Sequence, residues 1–299
     1  MLDGHELTGK YFPEWVRSYV NDDTTQCKSS HMFNGSINVE VYHRNQVDMK
    51  NALVKCRKVL KFLRSEFEEL KSMKVKIVLI LTNRKKIVRR NTQSEKIVIG
   101  ANEINSAVCF KGQHPSDDLP DIVVYRLEDM RKVLIHEIIH HLKRDLFRPG
   151  MNMKTVVKME NLIKATYPSV SSVNIMLNEA FTEAYAQYLH CKASFGKLGE
   201  QRELSLRNVK KFLRLNGCQS IEEFKIITDY REYSHPFAYI LLSSALLHSD
   251  RFLSLVEGDK LMTKMNTIIE DCIDDELWKK SVSQIKDRSS VNFHFKLSV

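Results

Sequence analysis

The chain has 299 residues, 43% of them hydrophobic and 28% charged, with only 10 Gly and 6 Pro. Such a composition can bury a sizeable core, and it excludes a mainly disordered, collagenous or Pro/Gly-rich protein. The formal charge of +9 falls mostly in residues 1–149, and no apolar run approaches the roughly 20 residues of a membrane-spanning helix.

In chain order, Met1 to Glu6 shows no basic segment followed by an apolar one, so no secretory signal is expected and a cytoplasmic location is the simplest expectation. Val39 to Tyr42 reads as a short strand. Gln46 to Met73 is predicted to be a long helix, because Leu53, Val54, Leu60, Leu63 and Phe67 recur at helical spacing. Lys74 to Thr82, rich in β-branched residues, reads as a buried strand. The basic run Arg84, Lys85, Lys86, Arg89 and Arg90 is expected to be an exposed connection, followed by strands at Lys96 to Gly100, Ile104 to Phe110 and Ile122 to Arg126. From Leu127 the pattern turns helical. Helices are predicted at Leu127 to Phe147, Asn152 to Thr166, Ser172 to Lys192, Ser205 to Leu215, Ser220 to Asp229, Pro236 to Ser249 and Lys260 to Gln284. Strands first and helices afterwards predict an α+β architecture. The six cysteines, Cys27, Cys56, Cys109, Cys191, Cys218 and Cys272, form no CxxC pair and suggest reduced thiols.

Chemistry concentrates in His136-Glu137-Ile138-Ile139-His140, a match to HExxH. Residues four apart share a helical face, so the two histidines can chelate one metal ion while Glu137 stands beside them to handle the proton of a water. Catalytic zinc takes three protein ligands as a rule. The residues after His140 lack the Gly and His of the HExxHxxGxxH pattern, which closes the metzincin route. A carboxylate from a second helix is the other solution. Asn178-Glu179-Ala180-Phe181-Thr182-Glu183 carries two acids one turn apart on one face: one can bind zinc and the other can accept the free N–H of a ligating histidine. Glu179 or Glu183 fits the ligand role at this stage, with His190 on the same predicted helix.

These two motifs resemble those of the gluzincins, the zinc metallopeptidase group that includes thermolysin, neprilysin and the clostridial neurotoxin light chains. The second motif is similar to the NExxxD of that group, with Glu183 in place of the final Asp. The resemblance implies a zincin-like α+β fold in which residues 1–149 form a small mixed sheet lobe with a long helix, ending in the HExxH helix. Residues 150–299 then form a helical lobe with the third zinc ligand, and the two make one catalytic unit with a cleft between the lobes. It further implies a zinc cofactor held by His136, His140 and Glu179, with Glu137 as general base, Glu183 orienting a histidine, and hydrolysis of a peptide or protein substrate. Gluzincins bind substrate along an edge strand before the HExxH helix, and Asn105-Ser106-Ala107-Val108 resembles it, which implicates Asn105 and Ala107. They keep an oxyanion donor downstream of the ligand glutamate, and Tyr230 to Pro236 offers Tyr233 first, then His235 and Arg231. The alternative is a weakly active or inactive zincin-fold binding protein whose basic N-terminal lobe docks nucleic acid or an acidic partner.

Overall fold

The computed structural model describes residues 12–22, 29–89, 105–110, 120–145, 152–194, 196–228, 230–257, 265–285 and 292–294. The chain divides into two compact units, Met1–Lys86 with Asn105–Arg144, and Ile87–Ile104 with Asp145–Val299. Helix α1 (Glu14–Val20) opens the first unit and is followed by strands β1 (Ser29–Phe33) and β2 (Ile37–Tyr42). The turn between the strands holds Asn34 and Gly35 at φ 52° and 75°, the left-handed pair that a tight hairpin needs.

Strand β2 leads into helix α2 (Gln46–Glu66), whose Asn45 side chain accepts from the Val47 N–H. The chain returns in β3 (Val75–Ile80), parallel to β2. The predicted helix to Met73 stops early. At Phe67 the backbone becomes extended and a 3-10 turn, Glu68–Lys71, follows, which lets both Phe67 and Leu70 bury their side chains. Strand β6 (Ile122–Val124) runs parallel to β3, and β5 (Ala107–Cys109) is antiparallel to β6. The five strands lie in the order β1-β2-β3-β6-β5. β-Branched residues dominate the buried positions of β2, β3 and β6, as a sheet covered on both faces requires. One face packs Tyr42, Val78, Ile80, Val123 and Tyr125 against Phe12 and Val16.

Helix α3 (Met130–His141) carries HExxH and packs on α2, β5 and β6. It is shorter than the predicted Leu127 to Phe147. Asp129 at φ 58° opens it, and Lys143 at φ 53° closes it while the Arg144 N–H bonds the Ile139 carbonyl, a left-handed stop of the kind glycine more often supplies. Arg144 is tied to Glu69 at 2.5 Å.

In the second unit, β4 (Ile87–Arg89) pairs with β7 (Asn292–His294). The helices are α4 (Met153–Thr166), α5 (Leu177–Ser194), α6 (Leu198–Leu215), α7 (Ile221–Ile226), a π-helical segment Phe237–Leu242 running into α8 (Ser243–His248), α9 (Asp250–Glu257), α10 (Met265–Ile273) and α11 (Glu276–Gln284). The segment predicted as one helix from Lys260 to Gln284 is broken where Asp275 caps α11 through the Trp278 N–H. Helix α5 packs against α6, α8 and the π segment. Phe212, Phe224, Tyr230, Phe237 and Tyr167 form a run of ring contacts that holds the approach to that segment. The molecule is thus a mixed α+β protein with a small five-stranded sheet and a mostly helical remainder. No helix among the described residues is long and apolar enough to cross a membrane.

The basic run does not form one exposed connection. Arg84 and Lys85 are exposed, but Lys86 is buried and its N–H bonds Glu128, and residues 87–89 form β4. Arg126 explains the burial. Its guanidinium donates to the carbonyls of Asn105, Arg84 and Lys85 and lies over the Trp15 ring. Arg90 and the strand predicted at Lys96 to Gly100 lie outside the described residues.

Candidate metal centre

Helix α3 is apolar nearly all round, with Leu134, Ile135, Ile138 and Ile139 fully buried. Polar side chains in such a helix require partners, because an unpaired buried polar group costs several kcal/mol. His136 and His140 supply each other. Both are buried, and their Nε2 atoms stand 3.1 Å apart with the rings edge to face. Two nitrogens bound to one tetrahedral zinc at about 2.0–2.1 Å would be about 3.3 Å apart, so the pair is already spaced for chelation. Glu137, between them in sequence, is also buried. Its negative charge acts on Tyr125 at the end of β6, whose phenol is held well above its usual range mainly by burial.

Helix α5 brings Glu179 in its first turn, half-buried and held at both oxygens. Asn178 Nδ2 donates to Oε1 at 3.2 Å, and the Tyr239 hydroxyl donates to Oε2 at 3.0 Å. One turn further on, Glu183 is 1% exposed and accepts from Gln187 Nε2, while Gln187 Oε1 accepts from Gln201 Nε2. His190, buried on the same helix, lies outside the group described next.

His136, His140 and Glu179 each offer one ligand atom, and these atoms all lie within 4.8 Å of one another. Among the described residues this is the one group of three or more His, Cys, Asp or Glu side chains that could hold a metal ion. Two imidazoles and one carboxylate are a donor set that suits zinc in a site with a further position open. Comparison of the chain with protein families, with characterised proteins and with solved structures finds no match. What the site can do therefore rests on its own residues.

The segment from Tyr230 to Pro236 is built around Glu232. This carboxylate accepts from the Tyr230 hydroxyl at 2.6 Å and from the Phe237 N–H at 3.0 Å, with His235 Nδ1 at 3.9 Å. Burial pushes its pKa up to about 7 even though both hydrogen bonds favour the charged form. Tyr233 is 80% exposed and Arg231 is exposed, whereas His235 is half-buried beside Glu232. The hydroxyl that reaches Glu179 belongs instead to Tyr239, on the π segment. Sequence reasoning passed over this residue inside an expected regular helix. Its one signal was being the single side chain with a polar tip in the apolar run Phe237–Leu242. π-Helical turns recur at functional sites.

Asn105 and Ala107 lie where the chain enters β5, at one end of the described strand order and against α3. The Asn105 carbonyl is taken by Arg126, and the Ser106 carbonyl accepts from the Tyr125 N–H, which extends the pairing of β5 with β6.

Proposed function

We propose that the protein is a zinc-dependent peptidase of gluzincin type, with zinc held by His136, His140 and Glu179. The observation that supports this most is the grouping of those three ligand atoms within 4.8 Å, with Glu137 next to His136 in the chain. When bound, zinc polarises a carbonyl oxygen and makes a water acidic near neutral pH. Glu137 takes the proton of the attacking water and returns it to the leaving amine. Glu183, on the same face of α5 as Glu179, orients a ligating histidine. Tyr239, through its hydroxyl, holds Glu179 in place. Its single phenol proton would turn from Glu179 to the oxygen that becomes negative during attack, a role we assign to Tyr239 ahead of Tyr233 and His235. The substrate lies extended along β5, where Ala107 contributes backbone, while the carbonyl of Asn105 just before the strand is held by Arg126.

The test is metal analysis and peptide turnover of the wild type beside Glu137→Gln. Zinc at one equivalent in both proteins, with cleavage of an unbiased peptide mixture by the wild type alone, supports the reading. A wild type that holds zinc and cleaves nothing overturns it.

A further inference from the structure

Helix α2 has two faces of unlike chemistry. Ala52, Cys56, Val59, Leu60 and Leu63 are buried. At about 100° per residue they centre opposite a row made of Lys50, Arg57, Lys58 and Lys61, all exposed. The acids of the helix, Asp48 and Glu66, project well to the side of that row, so it carries one sign of charge along its length. Among the described residues none of the four cations has an acidic partner. Arg57 instead lies over the Phe33 ring at 5.3 Å, which fixes one guanidinium in position. From Lys50 to Lys61 the row spans about 16 Å at 1.5 Å per residue.

Four aligned cations with no acidic partner among the described residues raise the local potential and favour a ligand that carries charge in a line. A lipid surface fits poorly. Helices that lie in a membrane interface insert an apolar face, and that face of α2 is spent on the core. The exposed apolar side chains beside the row are two valines, Val47 and Val54.

We infer that the outer face of α2 binds the phosphate backbone of a nucleic acid, without base recognition and independently of the metal centre. Contacts to about four phosphates of a duplex give a slope of log Kd against log salt of about 3.6, or roughly a 100-fold loss of affinity from 50 to 200 mM salt.

The experiment is a fluorescence-anisotropy titration of the full chain with a labelled 20-base-pair duplex at several salt concentrations. The quadruple variant Lys50→Gln, Arg57→Gln, Lys58→Gln and Lys61→Gln should bind at least 30-fold more weakly at 50 mM salt and lose most of the slope. A matched variant, Lys154→Gln, Lys158→Gln, Lys197→Gln and Lys280→Gln, removes the same charge from exposed positions of the second unit and should bind as the wild type does. Circular dichroism should show both variants folded. Equal loss in the two variants overturns the proposal, because net charge alone would then account for binding. Absence of duplex binding by the wild type overturns it too, as does α2-dependent binding to phosphatidylserine vesicles in place of the duplex.

Discussion

Tyr239→Phe isolates one hydrogen bond at the proposed centre. The substitution keeps the ring and removes the hydroxyl that donates to Glu179 Oε2 at 3.0 Å. A hydrogen bond to a charged group contributes about 1.5–3 kcal/mol, and losing a partner of a metal ligand costs about 10- to 100-fold in affinity. Tyr239 is half-buried, so water can replace part of the lost bond, and Asn178 still holds the other carboxylate oxygen. The expected loss of zinc affinity is therefore near the lower end, about 10- to 30-fold. The assay is competition for zinc between the stripped protein and a chromophoric chelator of known affinity at pH 7.5. Tyr233→Phe, at a position 80% exposed, serves as a control and should match the wild type. An affinity of Tyr239→Phe within twofold of the wild type, in a folded protein, would refute the reasoning. So would an equal loss in Tyr233→Phe.

Glu137→Gln should keep one zinc and lose turnover by about 100-fold or more, because proton transfer needs the carboxylate while metal binding does not; steady-state kinetics on metal-loaded protein checks this. Glu232 should make stability depend on pH. Its carboxyl is raised from 4.5 to about 7 in the folded chain, so between those values the folded state holds a proton that the unfolded state has lost. The stabilisation is fully present below about pH 4.5 and disappears as pH rises through 7, a change of about 3 kcal/mol. Urea denaturation should show this dependence in the wild type and lack that share of it in Glu232→Gln. Arg126→Lys should lower stability by about 3 kcal/mol in the same assay, since an ammonium group cannot reach three separate carbonyls and stack on Trp15 as the guanidinium does.

The features legible in the sequence are those written in local periodicity. The i, i+4 spacing of His136 and His140 places both on one turn of α3, and the capping pattern at Ser220 appears as Ser220 accepting from the Glu223 N–H, with Glu223 reaching back to the Gln219 N–H. Strand β1 was missed, although Asn34-Gly35 ahead of an alternating run is a hairpin signal. What sequence could not show was set by long-range packing. Phe67 ends α2 because burying it and Leu70 outweighs another turn of helix. Lys86 is buried because Arg126, forty residues on, gathers the neighbouring carbonyls. In the local pattern Tyr239 stands apart from Tyr233 only as the one polar tip in an apolar run, and what decides between them is which one meets α5.

The π segment beneath Tyr239 has a consequence of its own. A π turn holds one more residue than the α turn it replaces, and it is less favourable as a helix. Deleting one residue between Phe237 and Leu242 would let the stretch relax to α geometry; the wider turn had absorbed the extra residue, so the flanking turns would keep their facing and the change would fall on the side chains of the segment itself, Tyr239 among them. The shorter chain would gain a more regular helix while the phenol swung away from Glu179. At this position the wider turn makes the backbone less stable, and the same turn aims a hydroxyl at a carboxylate. Selection for a sturdier helix would remove the feature that holds Glu179.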